Sequence, residues 1–192
     1  MRKSGILMHI SSLPSPYGIG TVGKCAFDFV DFLHDAGQSY WQILPLNPTG
    51  YGDSPYQSFS CYAGNPYLID LDLLIEEGLL ESKEVSSVCW SADESRVDYG
   101  RLYEQRLKLL EKAYRRFVPD ETFRRFVADN ANWLEDYTLF MALKAKFNGT
   151  PWQNWPEALM MHLPLCLEAI RGELSETIGL HQFLQYQFFR QW

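Results

Sequence analysis

The sequence predicts an α/β unit followed by a long helical stretch, and three observations carry that fold class. Gly5 to Ile10 is nearly continuous apolar sequence, the mark of a strand covered on both faces in a parallel sheet. Tyr40 to Leu46 repeats that character, and between the two runs Ala26, Phe29, Val30 and Leu33 recur at helical spacing. From Arg101 onward the apolar residues keep a helical period almost without a break. Strand, helix and strand in this order make a right-handed parallel crossover unit.

The first strand ends at His9, a residue type that serves either as a base or as a satisfied structural group. No serine or cysteine in a nucleophile setting accompanies it. Ser11 to Gly23 is a Pro/Gly/Ser loop. Within it Gly18, Gly20 and Gly23 spell the dinucleotide fingerprint G-x-G-x-x-G ahead of a helix. The context is wrong for that function. Ser11 to Tyr17 separate the glycines from the strand, and Leu46-Asn47-Pro48 stands where an acid should hold a ribose. The helix over Lys24–Ala36 stops at Gly37.

The second strand runs into residues 47–58, a loop built from Pro48, Gly50, Gly52 and Pro55 with Tyr51, Asp53, Ser54, Tyr56 and Gln57 between them. Pro, Gly, Asn and Asp turn a chain. A loop at the carboxyl end of a strand that combines stiff backbone with rings and polar tips reads as a ligand site. Residue by residue a local role is an equal reading, with Tyr51 and Tyr56 capping a hydrophobic patch and Asp53 forming an Asx-turn.

Beyond the loop, Gly64-Asn65-Pro66 is a turn, Tyr67 to Leu71 an extended piece, and Asp72 the cap of a helix reaching Glu77 before Gly78. Leu79 to Gly100 is a polar connection. Arg101 to Phe117 carries Tyr103, Leu107, Leu110, Tyr114 and Phe117 on one helical stripe, and a shorter helix spans Glu121 to Val127. Asn132 with Glu135 spells a capping box for the next helix, which presents Trp133, Tyr137, Phe140, Met141 and Phe147 and stops at Gly149. Trp152 to Pro156 is a tryptophan-rich turn. Helix resumes after Pro164, breaks near Gly172 and continues to Trp192, with Leu180, Leu184 and Phe188 on one face.

Composition narrows the function. The chain has 192 residues, is 46% hydrophobic and carries 15% aromatics, enough for a substantial core. A net charge of -7 disfavours a phosphate backbone as partner. The start of the chain resembles a signal peptide but is too short, is broken by His9 and lacks a cleavage site. No stretch has the length of a membrane span. Cys25, Cys61, Cys89 and Cys166 are scattered, and His34, His162 and His181 lie far apart, so neither a metal site nor a disulfide framework follows. Reduced thiols in the cytoplasm are the expectation. Two strands do not make a stable parallel sheet, and an eight-stranded barrel takes about 250 residues, so the sequence reads as the front of something larger.

Several segments together carry a resemblance. Ser4 to Ser15 with Tyr17 to Gly20, Trp41 to Leu46, Gly50 to Ser58, Ala63 to Asp70, Trp133 to Tyr137 and Phe188 to Trp192 resemble, in order, the 4-alpha-glucanotransferases, the amylomaltase or disproportionating-enzyme family. Thr21, where an acid is common, and Cys61, where alanine is common, are small departures.

The resemblance implies the first strands of a (β/α)₈ barrel, incomplete in this chain. Residues 1–80 would be two β/α units bearing the glucan loop, and residues 81–192 an inserted helical subdomain. It implies transfer of an α-1,4-glucan segment to another glucan or to glucose, in starch, glycogen or maltodextrin metabolism, by a retaining double displacement that needs two carboxylates and no cofactor. Tyr56 would stack on the sugar at the bond being broken, Asp53 and Ser54 would hydrogen-bond hydroxyls, and Tyr51 would offer a further stacking surface. The catalytic carboxylates of the family lie on later strands, so none is expected here, and the remaining C-terminal part of the enzyme is an expected partner. A non-catalytic module that grips glucan or a partner subunit is the alternative.

Overall fold

The computed structural model describes residues 2–50, 52–93 and 95–192. The chain divides into two compact units, Met1–Val118 with Gln187–Trp192, and Pro119–Tyr186.

In the first unit β1 (Gly5–Leu7), α1 (Lys24–Asp35) and β2 (Tyr40–Gln42) form the expected crossover. The strands pair in parallel, with Gly5 opposite Tyr40, Ile6 opposite Trp41 and Leu7 opposite Gln42. Both are shorter than their apolar runs. After β1 the chain tightens into a 3₁₀ turn at Ile10–Ser12, which takes Ile10 out of the ladder and buries it completely. After β2 the Leu46 carbonyl accepts from Asn65 N at 2.7 Å instead of from β1. Within this segment Leu7 is 59% exposed and Tyr40 58%, and α1 meets the sheet through Phe29 edge-on to Trp41 at 4.9 Å.

The glycine-rich loop is a packing device. A Cβ at Gly20 would meet the Ile10 carbonyl oxygen and the Leu13 backbone, and one at Gly23 would meet the Asp70 carboxylate. These two glycines are small because protein fills the space beside them.

Residues 66–68 are a 3₁₀ turn, not an extended piece. Pro66 presets its first φ, and the Asn65 side chain accepts from Tyr67 N at 3.0 Å. The cap of α2 (Leu71–Glu76) is Asp70 rather than Asp72, through Leu73 N at 3.1 Å. Asp72 lies in the first turn and accepts from the Tyr17 hydroxyl. Gln191 clasps the Asp70 backbone, accepting from its N–H at 2.6 Å and donating to its carbonyl at 3.1 Å. The polar connection holds a short helix, α3 (Ser82–Ser86), whose Glu84 takes a bidentate pair from Arg116 at 2.6 and 3.1 Å.

Helix α4 (Tyr99–Arg116) is capped by Asp98 and buries Leu102, Arg106, Leu109, Leu110 and Ala113. The buried stripe is therefore rotated from the one that begins at Tyr103, which is 45% exposed. The reason is Arg106. Its guanidinium is fully buried, donates to the Ile69 and Tyr17 carbonyls and lies over the Trp90 ring, 5.6 Å from its centroid.

The second unit is helical: α5 (Glu121–Asp129), α6 (Ala131–Lys146), α7 (Glu157–Met160), α8 (Pro164–Glu173) and α9 (Ser175–Gln191), the last turn of α9 being counted with the first unit. The capping box at Asn132 does not form, because α6 already starts at Ala131. Asn130 precedes it and uses its side chain on Trp133 Nε1 at 3.0 Å and the Phe126 carbonyl at 2.8 Å. Leu139, Leu143, Trp155, Leu159 and Ile170 make the core, and Trp155 is fixed by donating Nε1 to the Thr150 carbonyl at 3.0 Å. Among the described residues no helix is long and apolar enough to cross a membrane.

Candidate functional site

The loop after β2 is held open by its own backbone. Gly50 N donates to the Gln57 carbonyl at 2.9 Å, Asp53 N to Gly50 at 3.2 Å and Gln57 N to Ser54 at 3.0 Å. Asn47 anchors the near end through the Ala63 carbonyl at 3.0 Å. Gly52 has φ +91° and Asp53 φ +56°. A left-handed non-glycine residue is uncommon, and a short polar side chain is the type that tolerates it.

This turn carries Asp53 into a cavity of about 150 Å³ lined also by His9, Thr49, Asn65, Leu68 and Tyr99. Burial raises the Asp53 pKa and lowers that of His9, so the imidazole is neutral at pH 7. Two phenols feel the same carboxylate. Burial first, then the Asp53 charge, pushes Tyr67 up to about 12 and raises Tyr99 as well. Tyr103 completes an aromatic cluster, its ring 5.6 Å from Tyr67 and 6.3 Å from Tyr99.

Of the residues expected at a site, Asp53 lines the cavity. Ser54 does not; its Oγ accepts from Tyr56 N at 3.3 Å and braces the turn. Tyr56 stands outside the cavity with 72% of its surface exposed, a free aromatic face. Tyr51 lies outside the described residues. His9, ambiguous in sequence, belongs to the cavity, while Thr49, Asn65 and Tyr99 carry no sequence signal that marks them. Among the described residues no three His, Cys, Asp or Glu side chains gather to hold a metal ion.

A larger cleft, about 840 Å³, lies between the first loop and residues 88–91 and 95–97 and is lined by Cys25, Cys89, Trp90 and Arg96 among others.

A family model described as 4-alpha-glucanotransferase matches residues 8–192. The chain belongs to the 4-alpha-glucanotransferase family. Its relatives include the 4-alpha-glucanotransferase of Streptococcus pneumoniae, 50% identical over 195 residues, covering all of this chain and 39% of that protein. That of Clostridium butyricum is 49% identical over 187 residues, covering 96% of this chain and 38% of the relative. Among solved structures, the amylomaltase of Streptococcus agalactiae in complex with acarbose superposes with a TM-score of 0.94 at 44% identity, over all of this chain and 40% of that one. The segment thus spans about two fifths of the 4-alpha-glucanotransferases that it matches.

Proposed function

We propose that this chain forms the first two β/α units of a (β/α)₈ barrel, residues 1–80, with a helical subdomain inserted over 81–192, in a 4-alpha-glucanotransferase. In this reading the enzyme moves an α-1,4-glucan segment to an acceptor glucan or glucose by retaining double displacement, in the cytoplasm and without a cofactor. The loop at 47–58 is one wall of the sugar groove. Tyr56 packs its ring against the C–H face of a glucose, Asp53 and Ser54 take hydroxyls, and Tyr51 extends the aromatic surface. Two carboxylates are required for the chemistry. We place both in the part of the longer relatives that this chain does not span, with that part as its partner.

The observation that carries the proposal is the stiff loop that sets an exposed Tyr56 beside the Asp53 cavity, in a chain matched by the family model from residue 8 to 192. In the full-length enzyme Tyr56→Ala should cut turnover of maltotriose roughly tenfold, equivalent to about 1.4 kcal/mol of transition-state stabilisation, with a smaller loss of glucan affinity. An unchanged rate removes Tyr56 from the site.

A non-catalytic glucan-binding or partner-binding module is the second reading. It is favoured by the cavity itself, where Asp53 is the one carboxylate among the described lining residues. The two readings separate on the 192-residue chain alone. We expect no glucose release from maltotriose, and measurable turnover would refute the assignment of the carboxylates. Calorimetric titration with maltoheptaose tests the module, for which absence of heat at millimolar sugar is the adverse result.

A further inference from the structure

Five buried side-chain polar atoms in the first unit are without a hydrogen-bond partner among the described residues. Arg106 Nε and Gln187 Oε1 lie elsewhere, but the other three, His9 Nδ1, Thr49 Oγ1 and Asp53 Oδ1, belong to side chains that line one cavity. An unpaired buried donor or acceptor is costly, and native structures avoid it unless something else fills the role. One such atom is an accident of packing. Three around a cavity of about 150 Å³ are a site waiting for hydroxyls.

The set is chemically specific. Ionised, Asp53 Oδ1 only accepts; the neutral His9 ring accepts at Nδ1 or donates there according to its tautomer, and the Thr49 hydroxyl does both. Among the described lining residues no Lys or Arg faces them, which argues against an anion, and a single carboxylate there is too few for a hard metal ion. A neutral group that both donates and accepts satisfies all three. The apolar part of the wall, Ile19, Leu44, Pro45 and Leu68, suits carbon-bound hydrogens between the hydroxyls. We propose that His9 and Thr49 act with Asp53 as one hydroxyl-binding pocket for a single glucose unit of the glucan, so that His9 and Thr49 are specificity-determining residues beside the exposed Tyr56 platform. This inference rests on the glucan reading above. Its geometry is fixed by elements distant in sequence: the end of the first strand run supplies His9 and the left-handed turn supplies Asp53. The sugar hydroxyl accepts from Thr49 and donates to Asp53 or His9.

The test pairs variants with monodeoxy maltotriosides in the full-length transferase. In wild type, removing the hydroxyl that enters the pocket should raise KM about tenfold, the scale of one neutral hydrogen bond. In Thr49→Val, which keeps the side chain's shape, KM for maltotriose should rise similarly, and the penalty for that one deoxy position should fall to about twofold. Thr49→Ser should restore the wild-type pattern, and His9→Phe should give an independent second comparison. If every deoxy penalty is the same in the variants as in wild type, the cavity holds only structural water and the inference is overturned, even where Tyr56→Ala still impairs turnover. If Tyr56→Ala and maltotriose binding are both without effect, the glucan reading itself fails.

Discussion

Gly20 is the residue at which the first loop has least room to change. Its N–H donates to the Ser11 carbonyl at 3.1 Å, and a Cβ would run into the Ile10 oxygen and the Leu13 backbone. Backbone cannot swing aside as a side chain end can. Gly20→Ala should therefore destabilise by at least about 3 kcal/mol, read as a lower denaturant midpoint with an unchanged slope. At this scale the sequence was partly legible. Asp53 could be found because it stands among the prolines and glycines that stiffen a loop. His9 could not be decided, since a histidine at a strand's end looks alike whether its ring nitrogen is satisfied or orphaned. Thr49, Asn65 and Tyr99 come together only through tertiary packing, Tyr99 arriving from the start of a helix in a different part of the chain. Arg106 misled the reading in another way. Counting apolar letters excludes arginine from a buried stripe, yet here two carbonyls and an indole ring replace its water.

At the scale of elements, long periodic segments were readable and short ones were not. α1 and α4 lie within two residues of their expected bounds because each repeats its pattern for three turns or more. α3 and α7, of five and four residues, are too short for a period to show. The missed 3₁₀ turn at 66–68 follows from Pro66, which closes a tight turn as readily as it starts an extended run. The absent capping box at Asn132 shows that a spelling needs its register. With the helix begun at Ala131, two residues earlier than an Asn132 cap requires, the motif falls inside the first turn. The strands were placed correctly in parallel but overestimated in length, since apolar character persists after the ladder has given way to Ile10's turn and to the Leu46–Asn65 bond.

For the whole molecule, His181 ties stability to pH. It is 9% exposed, and burial holds its pKa down at about 4. An unfolded histidine titrates near 6.5. The native state therefore stays unprotonated while the unfolded state gains a proton as pH falls. Stability from this group is intact above about 6.5 and is lost progressively toward 4, by about 3 kcal/mol in total. Thermal unfolding across that window should show the decline, and His181→Gln should flatten it; an identical acid limb in the variant would assign the decline to other groups. The parallel ribbon has a different consequence for the longer enzyme. Among the described residues each of its strands pairs on one side only, with Leu7 and Tyr40 uncovered. In the longer barrel proposed above, those open flanks are where neighbouring staves would hydrogen-bond, so the ribbon is a seam to be closed by the rest of the enzyme.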